Sequence, residues 1–108
     1  MPDWRDKPEL DMQVIATLVN AVGQAVFDDM KVQFVSDLTG LANACEDALG
    51  KGDMVTAKAA AHALKGAASN IGLVRLSALA AQVEQGDTES SHALETELET
   101  AIRCLNAA

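Results

Sequence analysis

Apolar residues recur along this chain every three or four positions, which is the spacing of an amphipathic α-helix. The longest series begins after Gly23 and consists of Phe27, Met30, Phe34, Leu38, Leu41, Cys45 and Leu49. Comparable series predict helices over residues 11–22, 24–49, 53–70, 73–85 and 91–106. Because short loops join four long helices, the pattern predicts an all-α fold. We expect an antiparallel four-helix bundle with a short extra N-terminal helix as a cap.

The ends of the predicted helices carry suitable residues. Asp11 and Asp53 are predicted N-caps, because a carboxylate accepts hydrogen bonds from the free N–H groups of a first turn. Gly40 lies inside the second helix, where it costs about 1 kcal/mol relative to Ala and leaves room for a local irregularity. The inward stripe of the third helix is made mostly of small residues, which lets it lie close to its neighbours: Ala57, Ala61, Leu64, Ala68 and Ile71.

The composition agrees with a helical protein. The 108 residues include two Phe, one Trp and no Tyr, and the two prolines stand at positions 2 and 8. A β-sandwich, a collagen-like chain and a disordered tail are therefore not expected. We predict one domain over residues 1–108, of which 1–10 are loosely ordered. Cys45 and Cys104 lack the spacing of a metal site and are predicted to be small core residues.

Localisation follows from what the chain lacks. Its first residues contain no hydrophobic signal region, and no stretch approaches ~20 apolar residues. We therefore expect a cytoplasmic protein. The initiator Met before one compact domain suggests a freestanding chain.

Charge is distributed unevenly. The formal net charge is −8, so nucleic acid and anionic membranes are not expected partners. Between residues 51 and 75, however, Lys51, Lys58, Lys65 and Arg75 against Asp53 give +3. The other four basic and fifteen acidic residues give −11. This reversal is either chance clustering or a docking face for an acidic partner.

His62 is the residue most suited to chemistry. It stands two positions before Leu64, about 200° around the helix from the inward stripe, and so is predicted to face solvent. The same outward face carries Lys58, Lys65, Gly66 and Ser69. A neutral imidazole is a nucleophile near pH 7, and lysines would stabilise an incoming phosphoryl group. The alternative is an exposed histidine without a role, which is what we expect of His92. Metal binding is not expected, since no His or Cys lies one turn away on this face.

One segment resembles a known signature. The run AHALKGAASNIG from Ala61 to Gly72, followed by Glu84, resembles that of histidine-containing phosphotransfer (HPt) domains. The family pattern is H-x-L-K-G, a second glycine ten positions after the histidine, and then an acidic or amide residue. The close match covers about 25 residues, and the rest agrees in the number, order and length of the helices. Ala67 and Ala68 depart from the pattern, which often has Ser or Thr there.

The resemblance implies a four-helix bundle that acts as a phosphorelay intermediate. His62 would accept a phosphoryl group through Nε2 from a receiver-domain phospho-aspartate or from a kinase, and pass it to another receiver aspartate. Lys65 would neutralise phosphoryl charge, and Glu84 would hydrogen-bond the other ring nitrogen. Lys58, Gly66 and Ser69 would contact the receiver.

The resemblance also bears on partners and cofactors. It implies response-regulator receiver domains or a hybrid sensor histidine kinase as partners, and a monomer. It implies no cofactor on this chain, since the Mg²⁺ would belong to the receiver, and no ATP-binding or kinase activity of its own.

Two other functions fit parts of the sequence. A non-catalytic adaptor would keep the docking face and bind receiver or kinase domains without phosphoryl transfer. An acyl-carrier-like protein would also be small and acidic. It requires an exposed Asp-Ser-Leu at a helix start, whereas this chain has Ser36-Asp37-Leu38 inside a helical stripe. The order is reversed, so this function is the least favoured.

Overall fold

The computed structural model describes residues 3–108, and every regular element within them is helical. The five α-helices are α1 (Met12–Val22), α2 (Gln24–Gly50), α3 (Met54–Asn70), α4 (Val74–Glu84) and α5 (Leu94–Ala107). Two short 3₁₀ turns, Trp4–Asp6 and Ser90–Ala93, precede α1 and α5. The predicted all-α fold is confirmed, and each predicted helix end lies within about three residues of the observed one.

The predicted caps form. The Asp11 carboxylate accepts hydrogen bonds from the backbone N–H groups of Gln13 and Val14, and Asp53 does the same for Thr56. α2 runs through Gly40 without a break, so the irregularity allowed for there does not occur. The last helix begins with the 3₁₀ turn Ser90–Ala93 before it becomes α-helical at Leu94.

The four long helices enclose one apolar core. α3 packs against both α2 and α4, and α5 closes the bundle by contacting α2 and α4. The largest fully buried side chains come from all four helices and from the residue before α4: Phe27, Leu38, Leu64, Leu73, Leu76, Leu79, Leu94 and Leu105. All five predicted inward residues of the third helix are buried. Cys45 is buried and Cys104 partly buried, and both are free thiols.

α1 differs from the sequence prediction. The four-residue spacing of Leu10, Val14, Leu18 and Val22 predicts that Val22 faces inward. Val22 is instead 38% exposed, and Ile15 is the residue of α1 that is buried. The reason is that α1 packs on α2, and its position there follows from the tertiary structure. Its first turn is held by Gly72, whose carbonyl accepts a hydrogen bond from the Asp11 N–H at 2.7 Å. Gly72 has φ +77°, and a Cβ there would come within 3.0 Å of the Asp11 carbonyl oxygen.

The segment before α1 is packed on the bundle. Residues 1–10 were predicted to be loosely ordered; positions 1 and 2 lie outside the described residues, and from Asp3 onward the chain follows α4. The Trp4 side chain is buried, and the Arg75 guanidinium of α4 donates to the Lys7 carbonyl and to Glu9. These contacts, rather than helical periodicity, order the segment.

No helix within residues 3–108 combines the length and the apolar character that crossing a membrane requires.

Candidate functional site

His62 projects from the middle of α3 into solvent, as predicted. Its side chain is 68% exposed, while its neighbours Ala61 and Leu64 are buried in the core. The burial of the stripe determines this orientation, because the helix that turns Leu64 inward must turn His62 outward. An imidazole in this position is within reach of another protein.

Glu84 holds one nitrogen of the ring. Its Oε2 lies 2.6 Å from Nδ1 of His62, although the two residues are 22 positions apart. A carboxylate only accepts hydrogen bonds, so this contact assigns the proton of a neutral imidazole to Nδ1. Nε2 then carries the lone pair. Nε2 is therefore the ring nitrogen that could act as a nucleophile.

The other oxygen of the same carboxylate binds Lys65. Nζ of Lys65 lies 2.7 Å from Oε1 of Glu84, so one carboxylate joins the histidine and the lysine. The hydrogen bond from Lys65 lowers the pKa of Glu84; desolvation opposes it, and His62 adds to the lowering. Glu84 is thus ionised at neutral pH. The sequence did not predict that Lys65 is engaged by Glu84.

The position of Glu84 has an electrostatic cost. It is the last residue of α4, where the helix dipole disfavours a negative charge. Lys65 of α3 compensates by binding the carboxylate directly. Nζ of Lys58, also on α3, lies 4.0 Å from the place that a Cβ on Gly86 would occupy, just beyond the end of α4. The predicted positive face is therefore also the surface on which α4 ends.

Gly66 has no packing reason to be a glycine. A Cβ at this mid-helix position would meet no atom within 4 Å, and Gly66 is exposed. Glycine there costs about 1 kcal/mol relative to Ala. Lys58 and Ser69 are also exposed on α3. Because position 66 carries no side chain, the surface beside the imidazole is open to an approaching molecule.

Ser77 is a residue of this region that the sequence analysis missed. Its hydroxyl donates to the Lys65 carbonyl at 3.1 Å and ties α4 to α3 two turns before Glu84. The sequence feature that could have identified Ser77 is its spacing of seven residues from Glu84, which places both residues on one face of α4. His92, by contrast, is exposed in the 3₁₀ turn before α5, as predicted.

Metal-binding geometry is absent from the part of the chain that the structure describes. Its His, Cys, Asp and Glu side chains do not form a group of three or more that could hold an ion. The chemistry available at this surface is that of the imidazole, the carboxylate and the two ammonium groups.

Fold and site together define a small helical bundle with an exposed histidine that a carboxylate orients. Residues 29–108 match the family model for the Hpt domain, and the chain belongs to this family of histidine phosphotransfer proteins of phosphorelay signalling. The family resemblance is thereby confirmed. Hpt domains act in phosphorelays together with receiver domains and kinases.

A solved structure shows the same fold. The chain is similar to the crystal structure of histidine-containing phosphotransfer protein B (HptB) from Pseudomonas aeruginosa PAO1, with a TM-score of 0.76 and 24% sequence identity. The similarity covers 94% of this chain and 91% of that one. The search of curated proteins finds no match.

Proposed function

We propose that His62 carries the phosphoryl group, accepting it on Nε2 from a receiver phospho-aspartate or a kinase and passing it to the aspartate of another receiver. The observation that carries the proposal is the pairing of an exposed imidazole with Glu84 through Nδ1 at 2.6 Å. Of the two histidines in the sequence, His62 lies in the family motif and has this partner.

The transfer step balances without movement of a proton. The Nε2 lone pair attacks phosphorus, an N–P bond forms, and the P–O bond to the aspartate breaks with its electron pair leaving on the carboxylate. The proton on Nδ1 stays in place, so the phosphorylated ring is a cation facing Glu84. When the group moves on, the ring departs as neutral imidazole, which is a far better leaving group than its anion. Glu84 thus supports transfer in both directions.

Lys65 acts on the phosphoryl group through its charge. The group in transfer spreads negative charge over its oxygens, and an ammonium near it stabilises that charge. Because Glu84 also holds Lys65, the ammonium is pre-positioned one turn from the imidazole. Pre-positioning lowers the reorganisation required when the donor arrives.

Lys58, Gly66 and Ser69 form the proposed docking surface. All three are exposed on α3, and the segment around them is positive on an acidic protein. This charge fits the acidic site of a receiver domain. We place the Mg²⁺ of the reaction on the receiver, and expect this chain to act without a cofactor, as a monomer in the cytoplasm.

The test is phosphoryl transfer from a labelled receiver domain. Wild type, His62→Gln and the matched control His92→Gln are incubated with it, and acid-labile phosphate on this chain is followed. Wild type and His92→Gln should accept label and His62→Gln should not. Equal labelling of all three proteins would refute the proposal, and receiver binding without transfer by the wild type would indicate an adaptor.

A further inference from the structure

A buried glutamate away from the phosphotransfer site has no role in it. Glu97 of α5 is 6% exposed and is one of two buried charged residues in the described part of the chain. Its carboxyl group lies within hydrogen-bonding reach of that of Glu9. Glu9 belongs to the segment before α1, and we call residues 3–11 the N-terminal strap. Buried carboxyl groups are costly unless their oxygens are hydrogen-bonded.

Each of the two carboxyl groups has one buried oxygen that receives no hydrogen bond. Oε2 of Glu9 and Oε2 of Glu97 are both buried and, among residues 3–108, receive no hydrogen bond from any other group. Arg75 reaches only the other oxygen of Glu9, at 3.0 Å, while its Nε donates to the Lys7 carbonyl at 2.7 Å. If both glutamates were ionised, one guanidinium would face two negative charges, one of them buried. A single proton between the carboxyl groups would satisfy both orphaned oxygens.

We propose that Glu9 and Glu97 share one proton that fastens the N-terminal strap to α4 and α5, and that docking of the strap weakens as the pH rises towards the point at which this proton is lost. The proton converts two repelling acceptors into a donor and an acceptor. The proposal is independent of phosphoryl transfer, because neither glutamate contacts His62 or its partners.

The surrounding charges support this assignment. Burial is the largest influence on Glu97, followed by Glu9; together they raise its pKa to about 8, and Arg75 of α4 opposes them. On the side of α2, burial and then the charge of Glu95 raise the pKa of Glu46, which is not among the influences on Glu97. The nearby 3₁₀ turn contributes His92, which is exposed.

The direction of the pH effect follows from these contacts. The docked strap binds the proton more tightly than a released strap, in which Glu97 would return towards its ordinary pKa of 4.5. Docking is therefore strongest at low pH, weakens as the pH rises above the ordinary value, and reaches its minimum above the raised one.

Release of the strap would expose Trp4. The strap begins with the 3₁₀ turn Trp4–Asp6, which packs on α4, and ends at Asp11, whose N–H binds Gly72. Trp4 is 7% exposed in the docked strap. It is the sole tryptophan of a chain without tyrosine, so intrinsic fluorescence reports the strap alone.

The test follows Trp4 emission and acrylamide quenching of the full chain from about pH 6 to about pH 9. In the wild type we expect a red shift and stronger quenching with rising pH, levelling off above the raised pKa of Glu97. Glu97→Gln keeps a hydrogen-bond donor that cannot ionise. Its Trp4 emission should therefore not change with pH, and Trp4 should stay protected from acrylamide. The matched control Glu99→Gln, an exposed glutamate of α5, should behave as wild type.

A second variant guards against a folding defect. Glu9 lies outside the helices, and Glu9→Gln removes the repulsion while leaving Glu97 beside Arg75, so its signal should also be flat. A wild type without the transition, or the wild-type transition in both Gln variants, would overturn the proposal. If Glu97→Gln loses its helical circular dichroism, the pH dependence of Trp4 emission in Glu9→Gln tests the proposal instead. Because the assay involves no receiver, its outcome does not depend on that of the phosphotransfer test.

Discussion

Nδ1 of His62 and Oε2 of Glu84 lie 2.6 Å apart, and this contact connects the middle of α3 to the end of α4 at the protein surface. It determines which ring nitrogen faces solvent. It also links the imidazole to Lys65, because the same carboxylate binds both side chains. The site is therefore a unit of three residues. Substitutions in it should have separable effects on the transfer rate, the affinity for the receiver and the stability of the fold.

Substitution of Glu84 should slow transfer according to how much of the contact remains. In Glu84→Gln the amide oxygen can still accept from Nδ1, whereas Glu84→Ala leaves the ring free to rotate and to change tautomer. We expect transfer rates in the order wild type, Gln, Ala, with a loss on the order of 10²-fold for Ala. Rapid-quench kinetics measure the rates, and ¹⁵N shifts of the imidazole measure the tautomer. An unchanged tautomer in the Ala variant would argue against the positioning role, and Glu89→Ala is the control.

Loss of Lys65 should affect transfer more than docking. Its charge is most useful while the phosphoryl group is between donor and acceptor, so Lys65→Ala should reduce the transfer rate by about 10²-fold. The Kd for the receiver should change much less. Lys51→Ala, which removes an exposed lysine paired with Asp47, is the control and should leave both unchanged. Equal losses in rate and affinity for Lys65→Ala would contradict this role.

Alanine at Gly66 should stabilise the fold and impair the function. Because a Cβ there meets no atom within 4 Å, Gly66→Ala should raise the free energy of unfolding by up to about 1 kcal/mol. The added methyl group would stand where the receiver approaches the imidazole, so transfer should slow. Urea unfolding and transfer assays test the two effects. Gly50→Ala also meets open space and should leave transfer unaffected; faster or unchanged transfer in Gly66→Ala would show that the open surface is not used.

The network should contribute to stability in a pH-dependent way. The pKa of Glu84 is held below its ordinary value of 4.5, chiefly by Lys65, so the ionised form is favoured in the folded state. Wild type should therefore be more stable than Glu84→Gln above the ordinary pKa, and this advantage should disappear as the pH falls through the lowered one. Urea unfolding between about pH 7 and pH 3 measures the difference. A difference that does not change with pH would mean that ionisation of Glu84 is not involved.

Receiver docking should weaken as salt rises, because a positive surface meets acidic groups across a solvated interface. Lys58 forms no ion pair with any other described residue, so its charge is available to the receiver. Lys58→Ala should therefore lower the slope of log Kd against log salt, whereas Arg103→Ala on α5 should not. Titrations at several salt concentrations test this; an affinity independent of salt would exclude electrostatic docking.

The amino-acid sequence alone determined the helices and the exposure of His62. Periodicity relates residues that one helix joins directly, so the inward positions of Leu64 and Ala68 oblige His62 to face outward. The motif from His62 to Gly72 determined the family. It also supplied the expectation that Glu84 contacts the imidazole, an expectation that rested on resemblance rather than on periodicity.

Only the tertiary structure decided which distant side chains meet. The ion pair of Lys65 with Glu84, the hydrogen bond from Ser77 to Lys65 and the burial of Glu97 against Glu9 depend on how helices rotate and slide against one another. For the same reason α1 buries Ile15 and leaves Val22 exposed, which its own pattern did not predict. Spacing along a helix constrains direction within that helix, whereas contacts between helices follow from packing the whole core.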